Sequence, residues 1–142
     1  MGRDAVALKI WLRDGEKVVV NGAVLVALGR TRLAIENPAA VLRESEIMGP
    51  NEANTPARRL YFAAMMAYVD EPARERHQDQ VVLLLHALLG AIEADEARAL
   101  CVAFARHIAS GDFYRALGIC RELIAYETVA LSRDPTAVAA IH

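Results

Sequence analysis

Two short patterns in the 142-residue chain gather side chains able to hold a polyanion. Near the start, Lys9, Trp11 and Arg13 recur at every second position of "LKIWLRDG". Two cations for phosphates and an indole face on which an unpaired base can stack are the ingredients of a single-stranded RNA surface. Further on, "TPARRLYFAAMMAYVD" at residues 55–70 places Arg58 and Arg59 in the first turn of a helix. Thr55 serves there as N-cap and Pro56 takes the first helical position. Cations in that turn oppose the helix dipole at a cost of about 0.3–1 kcal/mol each, so a negative partner is required. Two assignments stand: the arginines fork onto Glu44, Glu46 or Glu52, or they clamp phosphates or an acidic partner.

Other chemistries lack their signatures. The chain has no GxSxG elbow, no Gly-rich phosphate loop leading into Lys-Ser/Thr and no HExxH. His77, His86, His107 and His142 do not fall at the i, i+4 spacing that presents a metal from one helix face. Cys101 and Cys120 stand far apart without CxxC spacing and read as buried reduced thiols. The reading is therefore of a non-enzymatic protein with no catalytic, cofactor or metal residues. Tyr61, Met65 and Tyr68 share one face of the 55–70 helix and Phe62, Met66 and Val69 another, which marks it as a central packing helix rather than a stacking platform.

The elements that carry these residues change character near residue 50. In "AVALKIWLRDGEKVVVNGAVLVALGRTRLAIENP" short alternating runs are cut by Asp14-Gly15, Asn21-Gly22 and Gly29, dipeptides and residues suited to tight turns. The spacing predicts strands near 5–13, 16–20, 23–28 and 31–36 in a small antiparallel meander, while "AAVLRESEIM" reads equally as a fifth strand or a short helix. After residue 50 the period becomes helical, predicting helices near 56–70, 76–93, 95–109 and 113–131, with Gly111-Asp112 ending the third and capping the fourth. Val82, Leu85, Leu88 and Ile92, with Phe113, Leu117, Cys120 and Ile124, read as core. The expected fold is thus α+β, with an N-terminal antiparallel β lobe at 1–50 and a C-terminal bundle of about four helices at 51–142, its tail fraying.

The net charge is −2, without the global basic excess of many nucleic-acid binders. Residues 1–60 carry nine Lys+Arg against seven Asp+Glu, and the remainder seven against eleven, so cations favour the first lobe. The longest apolar run, "VVLLLHALLGAI", is too short to span a bilayer and reads as a buried helix, and no secretory signal is apparent; a cytoplasmic protein without a membrane partner is expected.

"EKVVVNGAVL", "VLRESEIM" and "TPARRLYFAAMMAYVD", in that order, resemble the FlbT family of flagellum biosynthesis regulators. The resemblance implies a cytoplasmic post-transcriptional regulator, a repressor in some members and an activator in others, that associates with the 5′ untranslated region of flagellin mRNA. It also implies a FlaF-like helical protein or flagellin as partner, and leaves a homo-oligomer open. Within the first lobe, the Gly-Glu hairpin, Arg-x-x-Ile-x-x-Pro and the close "VLRESEI" are similar to the carbon storage regulator (CsrA) family of mRNA-binding proteins. That similarity implicates Arg13 and Arg43, with Leu42 standing where His is common. Arg13, Arg43, Arg58, Arg59, Lys9 and Trp11 are accordingly the expected RNA contacts. In the competing reading, the acidic helical lobe is an adaptor for flagellin or FlaF and affects mRNA indirectly.

Overall fold

The computed structural model describes residues 8–133. The chain forms two compact units, the first ending at Ile47 and the second starting at Met48. Among the described residues the first holds five strands and the second four α-helices, an α+β architecture as expected.

The strands are β1 (Leu8–Leu12), β2 (Lys17–Val20), β3 (Ala23–Val26), β4 (Thr31–Ile35) and β5 (Val41–Arg43). All pairings are antiparallel, but the order is not that of a simple meander. β1 pairs with β4, and β3, β2 and β5 form a separate three-stranded sheet. The Asn21-Gly22 turn does make the expected hairpin, with both residues at positive φ (50° and 88°). Asp14-Gly15 instead carries the chain from one sheet to the other: the Gly15 N–H donates to the Ala27 carbonyl, and Asp14 Oδ1 accepts from the Gly29 N–H at 2.8 Å. The reason is burial. Ile10 and Leu12 of one sheet and Val18 and Val41 of the other share a single apolar cluster with Ala27, which a flat four-stranded meander would leave open on one face. The segment whose type the periodicity left open is both things in turn, β5 followed by a 3-10 turn at Glu44–Glu46.

In the second unit α1 spans Pro56–Val69, α2 Arg74–Ala91, α3 Asp95–Ala109 and α4 Phe113–Arg133. α1 packs on both α2 and α4, and α3 packs on α4. Thr55 caps α1 by accepting the Arg58 N–H. Alanines at 57, 63, 64 and 67 bury completely or nearly so and let the neighbouring helices close in, which makes α1 the central helix. Gly111 sits at φ 80°, and Asp112 Oδ1 accepts the Arg115 N–H at the start of α4.

The expectation of a buried α2 is corrected. Val81 and Leu88 are buried, whereas Val82 and Leu83 are exposed and Leu85 and Ile92 are half-buried. α2 leans mainly on α1, so only the narrow stripe repeating every seven residues goes inside. On α4 the stripe runs Phe113, Leu117, Cys120 and Leu123, with Ile124 half-buried beside it. No helix among the described residues is long and apolar enough to cross a membrane.

Candidate nucleic-acid interface

Strand alternation turns Ile10 and Leu12 inward and leaves Lys9 and Trp11 on the outer face of β1. Trp11 is 65% exposed. The β1–β4 register sets Arg32 directly opposite Trp11 and Ala34 opposite Lys9. The Arg32 guanidinium lies 4.9 Å from the indole centroid, a cation–π contact, and Lys9, Trp11 and Arg32 line one open hollow together with Leu33 and Ala34. Sequence reasoning missed Arg32. The signal was the alternation of "TRLAI", but a meander would have set another strand beside β1.

Arg13 continues the outer face beyond the strand end. Its side chain is almost fully exposed, with Nε 3.6 Å from Glu16 Oε1, while its backbone N–H donates to the same oxygen at 2.9 Å. Arg43 reaches the group from β5. Its Nη2 donates to the Trp11 carbonyl at 3.0 Å and lies 3.8 Å from Glu16 Oε2, and its buried Nε has no hydrogen-bond partner among the described residues. Arg43 thus braces the backbone of the exposed tryptophan. The Arg13 N–H, with the Arg13 and Arg43 charges, holds the Glu16 carboxyl below its ordinary value. The structure therefore brings together four of the six expected contacts, Lys9, Trp11, Arg13 and Arg43, and adds Arg32.

Arg58 and Arg59 belong to the helical unit. Among the described residues neither closes an ion pair, and the three proposed acceptors are otherwise engaged. Glu44 accepts the Lys17 N–H at 2.6 Å, Glu46 the Arg43 N–H at 2.8 Å and Glu52 the Gly49 N–H at 2.6 Å. The negative charge at the start of α1 comes instead from α4. Glu127 is buried there, with Oε2 accepting the Ala57 N–H at 2.9 Å and Oε1 accepting the Thr55 hydroxyl. Arg58 lines an open hollow with Glu127, Thr55, Asn51 and Glu52. A carboxylate on the Ala57 N–H and the Thr55 hydroxyl offsets the unfavourable placement of the two arginines. Nothing local to residues 55–70 could have pointed to a residue 72 positions from Thr55.

Burial raises the pKa of both free cysteines, reinforced at Cys120 by the Glu127 charge, which suits inert core thiols. Among the described residues no group of three His, Cys, Asp or Glu side chains is placed to hold a metal.

A family model described as "Flagellar protein FlbT" matches residues 8–131. The chain is 38% identical over 135 residues to the "Flagellum biosynthesis repressor protein FlbT" of Caulobacter vibrioides strain CB 15, covering 94% of this chain and 95% of that one. It is 43% identical over 122 residues to the probable FlbT repressor of Caulobacter sp. strain K31, covering 84% and 92%. To the probable FlbT repressor of Agrobacterium fabrum it is 33% identical over 134 residues, covering 94% and 90%. No solved structure matches the chain significantly. With the family model spanning residues 8–131 and nearly the whole chain aligned to relatives of that name, the chain belongs to the FlbT family of flagellar proteins.

Proposed function

We propose that this protein represses flagellum biosynthesis by contacting flagellin mRNA directly, in its 5′ untranslated region, through the outer face of β1 and β4. The observation that carries this reading is the exposed Trp11 flanked by Lys9, Arg13 and Arg32. An unpaired base stacks on the indole, the guanidinium and ammonium groups take the adjacent phosphates, and Arg43 holds the strand that presents the ring. Paired RNA buries its base edges, so the target is a loop or single-stranded stretch. Binding needs no catalytic step: occupying the leader suffices to alter translation or stability, and the site is expected to work in the cytoplasm. Arg58 and Arg59 are additional phosphate contacts in this reading.

Trp11 is the sole tryptophan, so its fluorescence reports the site itself. Titration with a flagellin leader RNA should quench it. Stacking on an aromatic is worth about 1–3 kcal/mol per base, so Trp11→Ala should weaken binding by roughly fivefold to a hundredfold. Equal affinity of Trp11→Ala and the natural chain for the leader would rule the surface out.

The exposed apolar side of α2 supports a second role, docking of a FlaF-like helical protein or flagellin. Val82 and Leu83 stand 60% and 67% exposed on a folded helix, a placement suited to an amphipathic partner helix.

A further inference from the structure

Among the described residues β3 is the outer strand of its sheet, paired with β2 alone. Its four residues, Ala23-Val24-Leu25-Val26, are all exposed, with Val24 at 60%, and Leu28 just beyond is 93% exposed. The stretch carries no charge and no proline, the devices by which proteins ordinarily keep an edge from pairing.

The ladder shows which backbone groups are open. The Ala27 N–H donates to the Glu16 carbonyl at 2.9 Å, and Lys17 stands opposite Val26. Alternate residues of an antiparallel strand direct their backbone groups to the same side, so Ala23 and Leu25 engage β2, as Ala27 does the residues just before it. The N–H and C=O groups of Val24 and Val26 point away from it. The Asn21-Gly22 turn agrees, since a two-residue hairpin loop is closed by a hydrogen-bonded pair, here Val20 and Ala23.

Residues 23–27, Ala-Val-Leu-Val-Ala, read the same in both directions about Leu25. Laid antiparallel about a two-fold axis at Leu25, a second copy sets each Val24 opposite the other chain's Val26. Both pairs exchange hydrogen bonds in each direction, using the groups left open, and each residue meets its own type without opposing charges. We infer that β3 is a homodimerisation edge, joining two copies of this chain into one six-stranded sheet, β5-β2-β3 continued by β3-β2-β5 of the second copy. A two-fold interface sets each residue against its counterpart twice over; the open backbone groups of Val24 and Val26 supply the pairing, and the palindrome makes every facing pair alike in size and apolarity. So short an edge covers less than the about 800 Å² per partner of a standard interface, so the dimer is concentration-dependent. The inference does not depend on what the β1–β4 face binds.

Sedimentation of the full-length protein over a range of concentrations tests it, with circular dichroism confirming the fold of each variant. The natural chain should pass from monomer to dimer as concentration rises. Val24→Glu with Val26→Glu places like charges across both pairs and should remain monomeric. Val24→Lys with Val26→Glu places opposite charges across both pairs and should dimerise. Both double variants set the same carboxylate beside Lys17, which cancels that intramolecular effect. Val24→Pro removes an outward N–H while sparing the ladder to β2, and should also give a monomer. A natural chain that stays monomeric throughout, or two double charge variants that associate equally, overturns the proposal.

Discussion

At the scale of single residues, two carboxylates do what their neighbours in sequence do not announce. Glu127 provides acceptors to the Thr55 hydroxyl and the Ala57 N–H. Glu127→Ala leaves both donors short of a partner inside the unit, and a charge-assisted bond is worth about 1.5–3 kcal/mol, so thermal denaturation should show a loss of that order. Glu127→Gln keeps one carbonyl acceptor and should lie between. Glu16 makes a prediction about pH. Its carboxyl is held below the ordinary value of 4.5, first by the Arg13 N–H and then by the Arg13 and Arg43 charges. A depressed carboxyl contributes stability that is fully present above its ordinary value and is lost as pH falls through the lowered one. Acid titration followed by Trp11 fluorescence should therefore show the strand end loosening below about pH 4.5, and Glu16→Gln should remove that pH-dependent component. Neither carboxylate's role was legible beforehand, because the donors that meet it, the Thr55 hydroxyl and Ala57 N–H for Glu127 and the Arg43 side chain for Glu16, are set beside it only by the fold. Lys9, Trp11 and Arg13 were legible, since a two-residue period alone places them on one face.

Helix starts and stops at the scale of elements were written plainly: Thr55-Pro56 opens α1, and Gly111-Asp112 separates α3 from α4. The Asn21-Gly22 hairpin was equally plain. What periodicity did not disclose was pairing order, because hydrophobic alternation says which face is inward and not which strand lies beside it. That is why Arg32 escaped notice until β4 was found alongside β1. α2 was misread for a related reason: a run apolar on every side carries no information about which side is covered. The two kinds of position should separate cleanly by mutation. Leu88→Ala, at a buried site, should cost roughly 2–5 kcal/mol by denaturant titration, whereas Leu83→Asp, at an exposed one, should stay within about 0.5 kcal/mol. If α2 receives a helical partner, Leu83→Asp should abolish capture of that partner without altering the melting curve.

For the whole molecule, each unit happens to contain its own reporter. Trp11 lies in the strand unit, and Cys101 and Cys120 are buried in the helical one. Leu117→Ala, deep in the helical core, should lower the denaturant concentration at which the thiols become reactive and displace that curve further than the Trp11 fluorescence curve. Coincident shifts of both probes would mean that the two units unfold as one. The hydrogen bonds from the start of α1 to Glu127 also bear on how the protein is made. They link positions 70 and 72 residues apart, and Glu127 lies in the last turns of the final described helix. During synthesis the strand unit leaves the ribosome with all its pairing partners already made, whereas α1 emerges bearing two cations and no anion to answer them. The helical unit can close only once translation has passed Glu127, so a stalled or truncated nascent chain presents a finished sheet followed by an open bundle.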